Sequence, residues 1–177
     1  MVTGAVLLLL FGLLLFTYQV RVTQVAVVTT FGRPNAAPRT EPGLYFKLPW
    51  PIQKVHYFDK RLQYFEDKFE QTALTNQVPV LVMAYAGWRI SNPSVFFPKW
   101  NGSVTEAERS LEQALRTAKA EVLGQTRFGD LISADEKSSR LPLVEAEILR
   151  RVQAQMEAGN YGMQVQFVGI KRLGLPE

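Results

Sequence analysis

Met1 to Val20 contains no Lys, Arg, Asp or Glu, and its centre runs Ala5-Val6-Leu7-Leu8-Leu9-Leu10-Phe11-Gly12-Leu13-Leu14-Leu15-Phe16. A helix of ~20 apolar residues rises ~30 Å, the thickness of a bilayer's hydrocarbon core. Each Leu or Phe removed from water stabilises by roughly 1.5–3 kcal/mol, so a run like this does not stay solvated cheaply. The expectation is a transmembrane helix over residues 1–20, facing lipid through Ala5, Leu8, Phe11, Leu14 and Phe16, and a folded domain over 21–177. An exported soluble binding domain with a cleaved leader is the alternative. A leader has a basic start and a small-x-small exit. Here no basic residue precedes the run, and Thr17-Tyr18-Gln19-Val20-Arg21 offers no Ala-x-Ala. Tyr18 extends the stretch as an interface-seeking aromatic. The first charges after it, Arg21, Arg33 and Arg39, would by the positive-inside tendency hold the domain on the cytoplasmic side.

The net charge of +4 lies outside this run, in short pieces such as Lys60-Arg61, Arg150-Arg151 and Lys171-Arg172. A nucleic-acid footprint wants basic residues concentrated on one surface, so nucleic acid is not an expected partner. A mildly basic face toward anionic lipid fits better. Cysteine is absent, which removes disulfides, a thiolate nucleophile and Cys-based zinc sites. His56 is the single histidine. Asp59 lies three residues on in the same strand and so points to the other face, and no G-x-S-x-G accompanies the pair. No catalytic, cofactor-binding or metal residue is expected, and the chain does not read as an enzyme.

Beyond the apolar run the pattern is strands, then helices, then a last strand. Val78 to Ile90 is apolar at every even position, which makes one face core. Ser103-Val104-Thr105-Glu106 has the capping-box pattern. The helix it opens carries Val104, Ala107, Leu111, Ala114, Ala118 and Val122 on one stripe. A second helix begins near Pro142 with Leu141, Val144, Ile148, Val152 and Met156 as its stripe and stops at Gly159-Asn160. Met163 to Phe167 alternates as a strand. The fold class is therefore α+β. Glu66, Asp67 and Glu70 read as a solvated strand edge that discourages edge-to-edge pairing. Two aromatic clusters surround prolines: Tyr45, Phe46 and Trp50, and Phe96, Phe97 and Trp100. Large aromatics are usually core; the alternative for Leu48 and Trp50 is contact with the membrane surface, where Trp is favoured. Glu112 and Arg116 have helical i,i+4 spacing. Glu106, Glu108 and Glu112 could meet Arg140, Arg150 and Arg151 of a neighbouring subunit, against the plainer reading as solvated faces.

In this order, Phe31-Gly32, Glu41-Pro42-Gly43-Leu44-Tyr45-Phe46-Lys47-Leu48-Pro49-Trp50, Asp59-Lys60-Arg61, Trp88-Arg89-Ile90-Ser91-Asn92 and Gly169-Ile170-Lys171-Arg172-Leu173-Gly174-Leu175-Pro176 resemble the SPFH (band 7) family of stomatin, prohibitin, flotillin and the HflK/HflC pair. The Glu41–Pro49 and Trp88–Ser91 stretches are most similar to the HflC branch. The resemblance implies an SPFH domain with a mixed sheet and packed helices beside a bilayer. It also implies a hetero- or homo-oligomeric scaffold that pairs with an HflK-like partner and modulates the membrane AAA protease FtsH. It places the protein in a bacterial inner membrane as a single-pass protein with its main domain periplasmic, against the arginine reading above, and the expectation follows the resemblance. A generic stomatin-like organiser of membrane microdomains is the other reading within the family. The family's C-terminal coiled coil is not found before Glu177.

Overall fold

The computed structural model describes residues 3, 12, 15–35, 37–75, 77–131 and 140–175. It resolves into two compact units, one of residues 1–61 and 90–102, the other of 62–89 and 103–177. Ala5, Leu8, Phe11 and Leu14 lie outside the described residues. Among those described, no helix is long and apolar enough to cross a membrane.

The first unit contains β1 (Thr17–Val20), β2 (Gln24–Thr30), β3 (Arg33–Pro34), β4 (Gly43–Phe46), β5 (Gln53–Asp59) and helix α1 (Pro93–Trp100). β1 corrects the boundary drawn at Val20. Residues 17–20 pair antiparallel with β4, from Thr17 opposite Phe46 to Val20 opposite Gly43. Tyr18 and Val20 are buried, so they belong to the domain's core, and Tyr18 stacks on Tyr45 with ring centroids 5.6 Å apart. Thr17 and Val20 are β-branched and Tyr18 aromatic, residues that suit a pleated, half-buried surface.

β2 is sandwiched. Successive strand side chains point to opposite faces, yet Val25, Ala26 and Val27 are all buried. Ala26 faces the cluster of Tyr18 and Val20, with Val28, Tyr45 and Val55 packed against it. Val25 and Val27 lie opposite Phe58 and His56 of β5, on the face that α1 covers with Phe96 and Phe97. Asn92 caps α1 by accepting the Ser94 N–H at 3.1 Å, and Pro93 supplies the preset first turn. Phe96 and Phe97 are thus core, as large aromatics usually are.

The second unit contains β6 (Gln63–Glu66), β7 (Glu70–Ala73), β8 (Pro79–Ile90), α2 (Val104–Leu123), α3 (Phe128–Leu131), α4 (Leu141–Ala158) and β9 (Met163–Gly174). β8 pairs with β6, β7 and β9. Its alternate residues Val80, Val82, Ala84, Ala86 and Trp88 are buried, as the period of two requires. α4 packs on α2 and β9, and buries the Val144, Ile148, Val152 and Met156 stripe. Ser103 caps α2 by accepting the Glu106 N–H at 3.3 Å, while the Glu106 carboxylate takes Arg109 at 2.6 Å.

β6 and β7 are one interrupted strand. Glu66 lies opposite Tyr85 and Glu70 opposite Val82, so residues 67–69 face only Met83 and Ala84. This extra residue is a β-bulge, which shifts the inward phase. The inward phase moves from Gln63 and Phe65 to Glu70 and Thr72, and the residue that ends the first phase is Asp67, whose N–H donates to the Ala84 carbonyl at 2.9 Å. Asp67 is 3% exposed and ion-paired with Lys119 of α2, itself 1% exposed. The expectation of a solvated carboxylate edge is corrected here. Glu66 and Glu70 do sit at the surface, paired with Lys171 at 2.7 Å and Arg116 at 2.5 Å, but Asp67 is inside.

Candidate functional site

The end of the first unit where the N-terminal segment enters presents apolar side chains. Leu15 and Phe16 are exposed, and the Lys47 N–H donates to the Phe16 carbonyl at 2.8 Å. The β1–β4 pairing therefore pins the segment after β4 to the point where the apolar run meets the domain. That segment is Lys47 to Ile52, rigidified by two prolines and by the Leu48 N–H donating to Gln53 Oε1 at 2.8 Å. Alternation along β4 turns Tyr45 inward and Phe46 outward. Phe46 is 80% exposed and Trp50 79%, with Leu48 also exposed. Leu48 and Trp50, the two residues expected at a membrane surface, are thus exposed side chains, and Phe46 is exposed beside them.

The β2–β3 turn is tied to the same segment, since the Phe31 N–H donates to the Ile52 carbonyl at 2.9 Å. Phe31 stands in the left-handed region (φ 48°) and is 75% exposed. Between turn and segment lies a cleft of about 300 Å³ lined by Thr29, Phe31, Trp50, Lys54, His56 and Phe97. His56 packs on Phe97 with centroids 4.6 Å apart. Its Nε2 lies 3.4 Å from Thr29 Oγ1, whose own proton goes to the Lys54 carbonyl at 3.2 Å. Burial first and the Lys54 charge second lower the His56 pKa from its ordinary value. Sequence reasoning treated His56 as a plain strand histidine. Its register opposite Val27, on the α1 face rather than at an open edge, is what gives it this setting.

Charge divides unequally between the units. The first holds eight lysines and arginines against two acids, a net +6, and the second twelve against fourteen, a net −2. The chain's even spread of charge in sequence conceals this because the boundary falls between Arg61 and Leu62. No group of three or more His, Cys, Asp or Glu among the described residues could hold a metal ion.

Of the charges named as subunit contacts, Glu106, Glu112, Arg150 and Arg151 are partnered within the chain. Arg150 and Arg151 converge on Glu147, at 2.7 and 2.9 Å, and Arg151 also reaches Glu121. Glu112 lies 3.5 Å from Lys68 and only 3.9 Å from Arg116. Glu108 is half-buried on α2. The two guanidinium groups hold the Glu147 carboxyl down at about 2, mainly through hydrogen bonds from Arg150 and then Arg151. A carboxyl depressed on folding stabilises above its unfolded pKa, and that contribution disappears as pH falls through the folded value. Glu147→Gln should therefore lower the urea midpoint at pH 6 and lower it progressively less from pH 4.5 toward pH 2. An equal deficit at every pH would rule out this ion cluster as its source.

The chain matches the SPFH domain / Band 7 family over residues 18–177. It is 26% identical over 118 residues to the "Modulator of FtsH protease HflC" of Escherichia coli (strain K12), covering 66% of this chain and 34% of that protein. It is 24% identical over 138 residues to the "Protein HflC" of Haemophilus influenzae (strain ATCC 51907 / DSM 11121 / KW20 / Rd), covering 77% of this chain and 45% of that protein. The chain spans less than half the length of the curated relatives it matches.

Proposed function

The chain belongs to the SPFH domain / Band 7 family, and from that premise we propose that it is a non-enzymatic scaffold, apposed to a membrane, that modulates an FtsH-type protease. The observation that carries membrane apposition is the exposed Phe46-Leu48-Trp50 surface. It is fixed by the Lys47-to-Phe16 hydrogen bond beside the entry of a charge-free apolar run. Exposed aromatics rimmed by rigid backbone mark interaction surfaces, and Trp prefers the lipid headgroup level. The net +6 of this unit adds attraction to anionic lipid. Protease modulation rests on the HflC relatives.

In this reading residues 1–16 anchor the protein in a bacterial inner membrane with the domain on the periplasmic side. An HflK-like partner completes a larger assembly, and its work is geometric: neighbouring domains limit what reaches the protease. Contacts between subunits would draw on the α2 and α4 charges Glu106, Glu108, Glu112, Arg150 and Arg151. For all of these but Glu108 such contacts would exchange bonds already made within the chain, so they favour register over affinity.

The test is the mass and composition of the complex extracted from its native membrane in mild detergent. A large particle containing an FtsH-type protease and an HflK-like partner is the expected result. A monomer or small dimer without protease would end the scaffold reading.

A further inference from the structure

We propose that the cleft between the Phe31 turn and the Trp50 segment binds the phosphate of an anionic phospholipid headgroup. This rests on the membrane-facing reading of the same end of the unit. Lys54 brings the charge, and among the described residues no acid lines the cleft. Phosphate oxygens take charge-assisted hydrogen bonds from an ammonium, and from an imidazole once it is protonated, and these are about twice as strong as neutral ones. Phe31 and Trp50 flank the opening as exposed rings, suited to the glycerol and upper acyl region of a lipid whose headgroup has entered. A free anion would leave those two aromatic walls without function, which is why a lipid is the source favoured here. The volume of about 300 Å³ accommodates a headgroup and not a folded partner.

The cleft also has a built floor. Thr29 is buried, its hydroxyl donating to the Lys54 main-chain carbonyl at 3.2 Å and lying 3.4 Å from His56 Nε2, so β2 and β5 fix the register at which Lys54 and His56 line the cleft. Among the described residues, Lys54 is the only charged group lining the cleft besides the titratable His56. A bound phosphate would offset the Lys54 repulsion that helps keep His56 neutral, so occupancy is readable at the imidazole.

Because His56 is the single histidine, its ring resonance needs no assignment. The full chain in maltoside micelles is titrated with dihexanoylphosphatidylglycerol or with inorganic phosphate while that resonance is followed. A saturable shift with the lipid is expected, accompanied by a rise in the His56 pKa. Lys54→Gln should weaken lipid binding by about tenfold or more, since it removes a charge-assisted contact. Lys60→Gln makes the same change in net charge outside the cleft and should leave binding within about twofold, a screened long-range effect only. Equal losses in the two variants, or no saturable shift, would overturn the site. Saturation by inorganic phosphate at the same concentration would overturn the assignment to lipid. A nitroxide on Leu48→Cys reports bilayer contact separately. If it contacts lipid while His56 is silent, the headgroup site alone fails; if it stays in water, the membrane face fails.

Discussion

Asp67→Ala lowers the unfolding free energy by about 3–5 kcal/mol, because it strands the Lys119 ammonium in an apolar interior. Lys119 sits between Leu115 and Leu123 on the buried stripe of α2, and nothing of it reaches water. Lys119→Met should be costly for the converse reason, leaving the buried Asp67 carboxyl without its partner between β6 and β7. The Asp67→Leu/Lys119→Met pair removes both charges at similar volume and should come within about 1–2 kcal/mol of the parent or exceed it. Urea unfolding of the full chain, with the transition slope compared between variants, reads all three. Additive losses in the double variant would show that the two side chains contribute independently and would sink the ion-pair account. The pair thus sets the register of α2 against the bulge rather than supplying net stability: an apolar stripe could slide by a turn, whereas a buried ammonium has one carboxylate to meet.

Phe46→Ser/Trp50→Ser will detach this end of the first unit from a bilayer while leaving the fold intact. Both rings are exposed, so their loss removes little packing from the core. Transferred into the lipid interface, two large aromatics together contribute about 3–5 kcal/mol, enough to shift docking by about a hundredfold or more. The absence of cysteine makes the measurement clean. A nitroxide on Leu48→Cys in nanodiscs should contact dissolved oxygen in preference to a water-soluble nickel quencher. In the double variant that preference should reverse. An unchanged accessibility ratio would show that the segment does not rest on the membrane.

Much of this molecule was legible because periodicity is a local signal. The alternation of β8 and the stripe on α4 are each written within one element, and the structure buries the residues they mark. The family resemblance was legible from ordered short motifs, and the match over residues 18–177 bears it out. What escaped was set by pairing between distant segments. Residues 17–20 look like the end of an apolar helix until β4 is available to pair with them. Asp67 looks like one of three surface acids until the pairing of Gln63–Glu66 with β8 is known, which carries it inward in phase with Phe65. A trace of this was present: Leu111, Leu115 and Lys119 follow one another at i,i+4, which places the lysine on the buried line of α2 and asks for a carboxylate nearby. No such trace marked the Lys54–His56 cleft, since it depends on the Phe31 turn meeting the Ile52 backbone.

The path of the chain through its two units has a consequence for synthesis. The polypeptide leaves the first unit at Arg61, spends residues 62–89 in the second, returns at Ile90 and departs for good after Gly102. Until α1 emerges from the ribosome, Phe58 and His56 have no Phe96 or Phe97 to lie against. An unfinished first unit therefore exposes one apolar face of β2 and β5 to the cytosolic or translocating environment for as long as ~40 residues take to be made, a few seconds at ordinary elongation rates. Nascent chains arrested just before α1 should engage holdase chaperones more than chains arrested well after it. Quality control would meet this protein at that interval.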